Sequence, residues 1–296
     1  MTRRHIGLLV LGVTAVSFSA VLVRLADAPA FAVAFYRCAF AAVILVPIGL
    51  LRHRDEYRRL TPARWRLAVL SGLALAGHFA TWIPSISLTT VAASVVLVQT
   101  QPIWVALFGR FVGERPSRRA LGGMGVALLG TLLITGGGFT GGSRALLGDL
   151  LALAGAMFAA AYVLLGRSLR QEVSLVTYTS IVYTVSGLVL AAAMVVSGTP
   201  FVGYSPRVWL LFALITAGPQ FLGHTVFNYL LGHVRASVVA VALLAEPVGA
   251  TILAFLILGE VPGPLTIAGG AVVLAGVYIA IAAEGARVPE LLEPVE

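Results

Sequence analysis

Ten apolar stretches follow one another along the chain, separated by short polar breaks. Each has about 20 residues, the length that a helix needs to cross roughly 30 Å of hydrocarbon. Composition agrees, because 59% of the residues are hydrophobic, 11% are charged and the mean hydropathy is +0.99. These values exclude an ordinary soluble domain. We therefore predict an all-α integral membrane protein with ten transmembrane helices, numbered here as spans 1 to 10: 6–24, 30–51, 65–86, 91–112, 118–135, 146–166, 174–197, 207–230, 236–258 and 263–283.

Arginine supplies all 20 basic residues, and its distribution predicts the orientation. With the N-terminus inside, 16 arginines lie in cytoplasmic segments, whereas only Arg24, Arg144 and Arg207 lie outside. Because basic residues stay on the cytoplasmic side, we predict a multi-pass protein of the cell inner membrane with both termini cytoplasmic. This asymmetry also explains the net charge of +8, so nucleic acid is not predicted as a partner.

Two similar segments half the chain apart indicate a duplication. Their prolines, Pro102 and Pro247, are 145 residues apart. Each segment runs from a proline to a Gly-Glu corner: Gln101-Pro102 to Gly113-Glu114, and Glu246-Pro247 to Gly259-Glu260. Other anchors keep this order and nearly this spacing: Gly77-His78 with Gly223-His224, Ala93-Ser94 with Ala236-Ser237, Gly12 with Gly155, and Arg24 with Arg167. We predict a first repeat at 1–143, a second at 144–284 and a cytoplasmic tail at 285–296.

An odd number of spans in each repeat predicts that the second copy is inverted. Each repeat holds five predicted spans, so the second copy enters the membrane from the opposite side. The charges agree, because the loop after span 4 carries four arginines and the loop after span 9 carries none. Inverted repeats are typical of secondary transporters, which bind substrate near the midplane where the halves meet. Alternating access is then expected, since each half can take the conformation of the other.

The anchors as a set resemble the EamA family of the drug/metabolite transporter superfamily. The resemblance covers roughly 6–283 and includes the two Gly-Glu corners, the two mid-span prolines, Phe35-Tyr36-Arg37, Arg24 and Arg167. It implies ten helices in two inverted five-helix repeats, around a cavity lined mainly by spans 1, 3, 4, 6, 8 and 9. It also implies transport of amino acids or other metabolites, without naming one. The small multidrug transporters, regarded as half-sized relatives, couple transport through a glutamate inside their first helix. Spans 1 and 6, the first of each repeat, have no acidic residue at their centres, so the resemblance does not imply that form of coupling here.

Polar side chains inside the spans are the candidates for a transport site, because polar groups in a bilayer tend to face a cavity. Span 8 places Thr216, Gln220, His224 and Asn228 four residues apart, on one face of an α-helix. Span 3, its repeat partner, has a polar face of its own. We predict a substrate site formed by His78, Trp82, Gln101, Tyr162, Gln220, His224, Asn228 and Arg37. The alternative is that these groups form interhelical hydrogen bonds that only hold the spans together.

Glu246 is the candidate for proton coupling. It lies well inside a predicted helix, and burial disfavours the charged form of a carboxyl group, as a proton carrier requires. The alternative is a purely hydrogen-bonding role, because Gln101 at the equivalent position cannot titrate. His78 and His224 are either proton relays or neutral hydrogen-bonding groups.

Two further side chains leave alternatives open. Arg37 could bind a substrate carboxylate or phosphate, snorkel outward or pair with Asp27. A continuous helix would place Gln99 and Gln101 about 200° apart, so only one could face the cavity, and alignment with Glu246 favours Gln101. The glycines of spans 5 and 10 indicate close packing, either within the chain or in a homodimer.

The residues support an enzyme, an ATP-driven pump or a channel less well than a secondary transporter. An intramembrane enzyme needs paired carboxylates, a nucleophile with its base, or a metal cluster, and we predict no catalytic residue, metal or cofactor. The chain has no phosphate-binding loop of the GxxxxGK type. We therefore predict a secondary active transporter that exports a small metabolite, an amino acid or similar amphiphile, with proton coupling as an option. The alternative is a channel or scaffold. The predicted partners are a small-molecule substrate and the lipid bilayer, with the chain either a monomer or a homodimer.

Overall fold

The computed structural model describes residues 2–89, 94, 97–113, 116–134, 142–259 and 261–285. Within these ranges the regular structure is helical and contains no strand, which confirms the prediction of an all-α chain. The helices are α1 (Arg3–Ala26), α2 (Ala30–Arg52), α3 (Arg54–Arg59), α4 (Pro62–Leu88), α5 (Gln101–Gly109), α6 (Arg118–Ile134), α7 (Ser143–Arg170), α8 (Leu175–Ser197), α9 (Pro206–Leu231), α10 (Ala236–Leu243), α11 (Glu246–Leu258) and α12 (Pro264–Gly285).

Eight helical segments in the described ranges are long and apolar enough to cross a bilayer. They are α1, α2, α4, α7, α8, α9, the α10–α11 segment and α12, which correspond to predicted spans 1, 2, 3, 6, 7, 8, 9 and 10. Helix α6, at predicted span 5, has 17 residues. Predicted span 4 falls partly outside the described residues, and α5 lies in its second half. The polytopic membrane architecture is therefore clear.

Capping residues explain where the spans begin. Helices α4 and α9 start after Thr61 and Ser205, whose side chains accept a hydrogen bond from a backbone N–H of the first turn. Each of these caps is followed by a proline at the first helical position, where a missing N–H costs nothing. The polar breaks in the sequence are thus helix-start signals as well as loops.

Helices α5 and α11 begin in the middle of predicted spans 4 and 9. The second residue of each is a proline, Pro102 or Pro247. Proline has no N–H to bond to the preceding turn, so the helix stops and a new one starts. Such breaks are tolerated at membrane depth where they border protein or a cavity.

The corners after α5 and α11 share one backbone conformation. Gly113 has φ 77° and Gly259 has φ 71°, in the left-handed region that glycine adopts without strain. Their predicted partners Glu114 and Glu260 lie outside the described residues, as do Ala93 and most of the tail at 285–296.

Four glycines let the longer helices approach closely. A Cβ at Gly12 of α1 would lie 2.6 Å from the Phe227 ring of α9, and one at Gly223 of α9 would lie 2.5 Å from Val16 of α1. Helices α4 and α7 pack in the same reciprocal way: a Cβ would lie 2.9 Å from Phe158 at Gly77, and 3.0 Å from Trp82 at Gly155. Helix α1 therefore packs closely on α9, and α4 packs closely on α7.

Candidate functional site

An interior cavity lies where α1, α4, α7, α9 and the broken helices meet. Its open volume is about 60 Å³, room for on the order of five water molecules at roughly 10–15 Å³ each. The lining comes from predicted spans 1, 3, 4, 6, 8 and 9, the six that the family resemblance implied, and from one residue of span 2. Eight of the nine predicted site residues line it: Arg37, His78, Trp82, Gln101, Tyr162, His224, Asn228 and Glu246.

Arg37 is the residue that span 2 contributes, and its side chain is 1% exposed. Its Nε donates a hydrogen bond to Gln220 Oε1 at 2.8 Å, and its guanidinium carbon lies 4.1 Å from the centre of the Phe79 ring. The arginine thus neither snorkels outward nor forms an ion pair with Asp27. Its Nη1 is buried and has no hydrogen-bond partner among the described residues.

Gln220 is the predicted site residue that does not line the cavity. It lies behind Arg37, is 0% exposed and holds the guanidinium through its Oε1. The predicted single polar face of span 8 is wrong, because Thr216–Thr225 forms a π-helix within α9. A π-helix takes more residues per turn than an α-helix, so side chains four apart no longer share one direction. Only His224 and Asn228 of that face line the cavity.

Gln99 lines the cavity together with Gln101, contrary to the expectation that only one of them could. The expectation assumed a continuous helix, whereas Gln99 and Thr100 form a turn before α5 begins at Gln101. The turn interrupts the regular helix just before Gln101, so the angle of a continuous helix does not apply to the two side chains. Gln99 Nε2 donates to Glu246 Oε2 at 3.4 Å, so Gln99 is the glutamine in contact with the acid.

Glu246 is the first residue of α11 and borders the cavity. The free N–H groups of a helix start favour a negative charge nearby, which partly offsets the low polarity of the interior. Its backbone carbonyl accepts a hydrogen bond from Ser17 Oγ of α1 at 3.3 Å. Gly249, one turn further, leaves room for Ser17, because a Cβ there would lie 2.2 Å from the serine Oγ.

The two membrane histidines have different surroundings. His78 Nδ1 lies 3.0 Å from the carbonyl oxygen of Gly155, and because a carbonyl only accepts, Nδ1 carries the hydrogen. The His78 ring also stacks on Trp82, with centroids 5.6 Å apart and planes 8° apart. His224 packs edge-on against Phe79 and near Tyr162. His78 therefore joins α4 to α7 while it borders the cavity.

Asn228 is the centre of a hydrogen-bond chain between helices. Its Oδ1 accepts from Tyr162 Oη at 2.8 Å, and its Nδ2 donates to Tyr183 Oη at 3.3 Å. Tyr183 in turn bonds to Thr225. Asn228 and Tyr162 therefore hold helices together and also line the cavity. Ser19 also lines the cavity, and its signal in the sequence was the repeat position that it shares with Tyr162.

Known proteins agree with this architecture. The model of the EamA-like transporter family matches residues 3–136 and 146–282. A protein of Archaeoglobus fulgidus named as an uncharacterized transporter is 25% identical over 273 residues, which cover 90% of this chain and 92% of that protein. A protein solved by crystallography superposes with a TM-score of 0.79 at 20% identity, covering 95% of this chain and 99% of its own, and so shares the fold. This chain is thus a polytopic membrane transporter that belongs to the EamA-like transporter family.

Proposed function

We propose that the protein is a secondary active transporter that exports a small metabolite, an amino acid or similar amphiphile, by alternating access. The observation that carries the proposal is the interior cavity, which is lined by both halves of the chain and bordered by Glu246. Enclosure on this scale fits a binding site that opens to one side at a time better than it fits an open pore. The family favours transport over the alternatives of a scaffold or an intramembrane enzyme.

We infer that ten spans form two inverted five-span repeats, 1–143 and 144–284, followed by the tail at 285–296. The two separate matches to the family model support this division. The packing of α1 on α9 and of α4 on α7 supports the equivalence of the two repeats, because exchanging span 1 with span 6 and span 3 with span 8 turns one contact into the other. The shared backbone conformation of Gly113 and Gly259 supports this equivalence again, and the odd number of spans in each repeat is the reason to infer the inversion.

We infer that Glu246 carries the coupling proton. Three features support this role: the carboxyl group borders the cavity, it touches Gln99, and it starts a helix broken at Pro247. Protonation would change its hydrogen bonding to Gln99, and with it the contact between the two broken helices. The second candidate, a purely hydrogen-bonding role, would make glutamine an adequate replacement.

Transport in proteoliposomes tests this role. We expect alanine uptake by the wild type to be driven by a proton gradient, and Glu246→Gln to lose that dependence while it still exchanges alanine across the membrane. Asp55→Asn is the matched control, because Asp55 is 80% exposed on α3, away from the cavity. Gradient-driven uptake that survives in Glu246→Gln would reject Glu246 as the proton carrier.

We further propose that the protein lies in the cell inner membrane with both termini cytoplasmic. The arginine distribution supports this orientation. The close packing of α6 on α12 accounts for Gly123, Gly130 and Gly276 within one chain, since a Cβ at Gly130 would lie 2.5 Å from the backbone nitrogen of Val273. These three glycines therefore need no second copy of the chain, whereas a Cβ at Gly122 or Gly125 would meet no atom within 4 Å.

A further inference from the structure

Three buried polar atoms on the cavity wall have no hydrogen-bond partner in the part of the chain that the structure describes. They are Ser19 Oγ, Arg37 Nη1 and Trp82 Nε1. Their side chains are 3%, 1% and 6% exposed. The guanidinium and the indole are donors only, and the hydroxyl can donate. A buried donor without an acceptor is costly, so these atoms together point to a ligand rich in acceptors.

The charge of Arg37 narrows the class of ligand. Its neighbours are the neutral amide of Gln220 and the ring of Phe79, and it forms no salt bridge with Glu246, the acid on the same cavity. Glu246 shares the cavity with Arg37 but does not touch it, and a buried cation with no anion in direct contact is disfavoured unless a ligand pairs with it. A carboxylate offers a negative charge and about four acceptor positions in the plane that a guanidinium matches.

The neighbours of Arg37 also orient it. Gln220 Oε1 holds Nε, and the Phe79 ring supports one face of the guanidinium. Rotation of the group is therefore restricted, and Nη1 is left without a protein acceptor. Trp82 is held in a similar way, because its ring stacks on His78. The donors are positioned before a ligand arrives, which reduces the entropy lost on binding.

The volume limits the size of the ligand. The cavity holds on the order of five water molecules, and alanine has six non-hydrogen atoms. A small monocarboxylate fits the cavity in this conformation, whereas a large aromatic compound would require it to expand.

We propose that the substrate is a small monocarboxylate whose carboxylate is bound by Arg37, with Trp82 Nε1 and Ser19 Oγ as additional donors. This inference rests on the proposed function, since it assigns a substrate class to the same cavity. It leaves Glu246 outside the carboxylate subsite.

Equilibrium binding to the purified protein in nanodiscs tests the proposal with three probes of similar size: alanine, lactate and alaninamide. We expect the wild type to bind the two carboxylates and to reject the amide. Arg37→Gln should weaken alanine binding by about ten- to a hundredfold, the loss typical of a charged hydrogen bond. Trp82→Phe, which removes the N–H and keeps the ring on His78, should weaken it by about three- to tenfold. Arg207→Gln, at an exposed position on α9, should bind as the wild type does.

Two controls separate the possible failures. Thermal unfolding shows whether Arg37→Gln is folded, and if it is not, Trp82→Phe and Ser19→Ala decide the proposal. Unchanged alanine binding in the folded variants, binding of alaninamide as tight as that of alanine, or no binding of either carboxylate would overturn it. Carboxylate binding that requires Arg37, without transport in proteoliposomes, would support the subsite and reject the transport mechanism instead.

Discussion

Glu56 shows how a single carboxylate can stabilise a helix start outside the bilayer. It lies on α3 and accepts hydrogen bonds from Ser174 N at 2.5 Å and from Thr177 Oγ1 at 2.6 Å, at the beginning of α8. Burial alone would raise the pKa of Glu56, but the hydrogen bonds from Ser174 and Thr177 outweigh it and hold the pKa below the ordinary 4.5. The charged form is therefore the one that the fold favours.

A carboxyl group with a lowered pKa in the folded state stabilises the protein above its unfolded pKa, and this contribution is lost as the pH falls through the folded pKa. We expect Glu56→Gln to lower the unfolding temperature by roughly 2–4 °C near pH 7. The gap between wild type and variant should close below about pH 4.5. Thermal unfolding in detergent from pH 3 to 7 measures this, with exposed Asp55→Asn as the control. A gap that does not change with pH would show that the charge of Glu56 is not its source.

At the scale of elements, glycine placement separates the packed face of α6 from its open face. A Cβ at Gly123 would lie 2.6 Å from the backbone nitrogen of Ala280 and 2.7 Å from the carbonyl oxygen of Gly276, both on α12. At the adjacent Gly122 nothing lies within 4 Å. Gly123 and Gly122 therefore allow the same substitution to be compared at a packed and at an open position of one helix.

We expect Gly123→Ala to destabilise the protein by about 1–3 kcal/mol, because the backbones of α6 and α12 must move apart. Gly122→Ala should be neutral or stabilising by up to about 1 kcal/mol, because alanine favours the helix and meets no atom. Unfolding temperatures of the two variants in the same detergent check this. Equal effects would mean that α6 and α12 do not pack through Gly123.

The helix boundaries show which parts of the fold the sequence patterns predict. Apolar length predicted the spans because it is a local signal, but spans 4 and 9 were expected to be continuous, whereas a new helix begins just before Pro102 and just before Pro247. The π-helix at Thr216–Thr225 and the turn at Gln99 were not predicted. A polar stripe every four residues assumes an α-helix, and no local rule revealed where α9 would change its winding.

At the scale of the molecule, α2 and α8 are tied together at both ends. Tyr36 of α2 donates to the backbone carbonyl of Phe201, just after α8. At the opposite end, α3, which follows α2, bonds to the start of α8 through Glu56. Hydrogen bonds at both ends therefore fix α2 and α8 side by side.

The proposed orientation can be checked by cysteine labelling, since the one native cysteine, Cys38, is 0% exposed. We expect Val202→Cys, at a position 73% exposed, to react with a membrane-impermeant maleimide in intact cells. Arg58→Cys, on α3, should react only after the membrane is opened. Labelling of Arg58→Cys in intact cells, and of Val202→Cys only after the membrane is opened, would show the opposite orientation.

The sequence by itself determined the membrane class and the family, because apolar length and the spacing of repeated anchors are properties of the chain alone. The family resemblance in turn implied six of the seven spans that line the cavity. The tertiary structure decided what each polar side chain touches. Arg37 meets Gln220, 183 residues away, and Gln99 meets Glu246, 147 residues away. Contacts across such separations depend on the packing and winding of several helices at once, which no local pattern specifies.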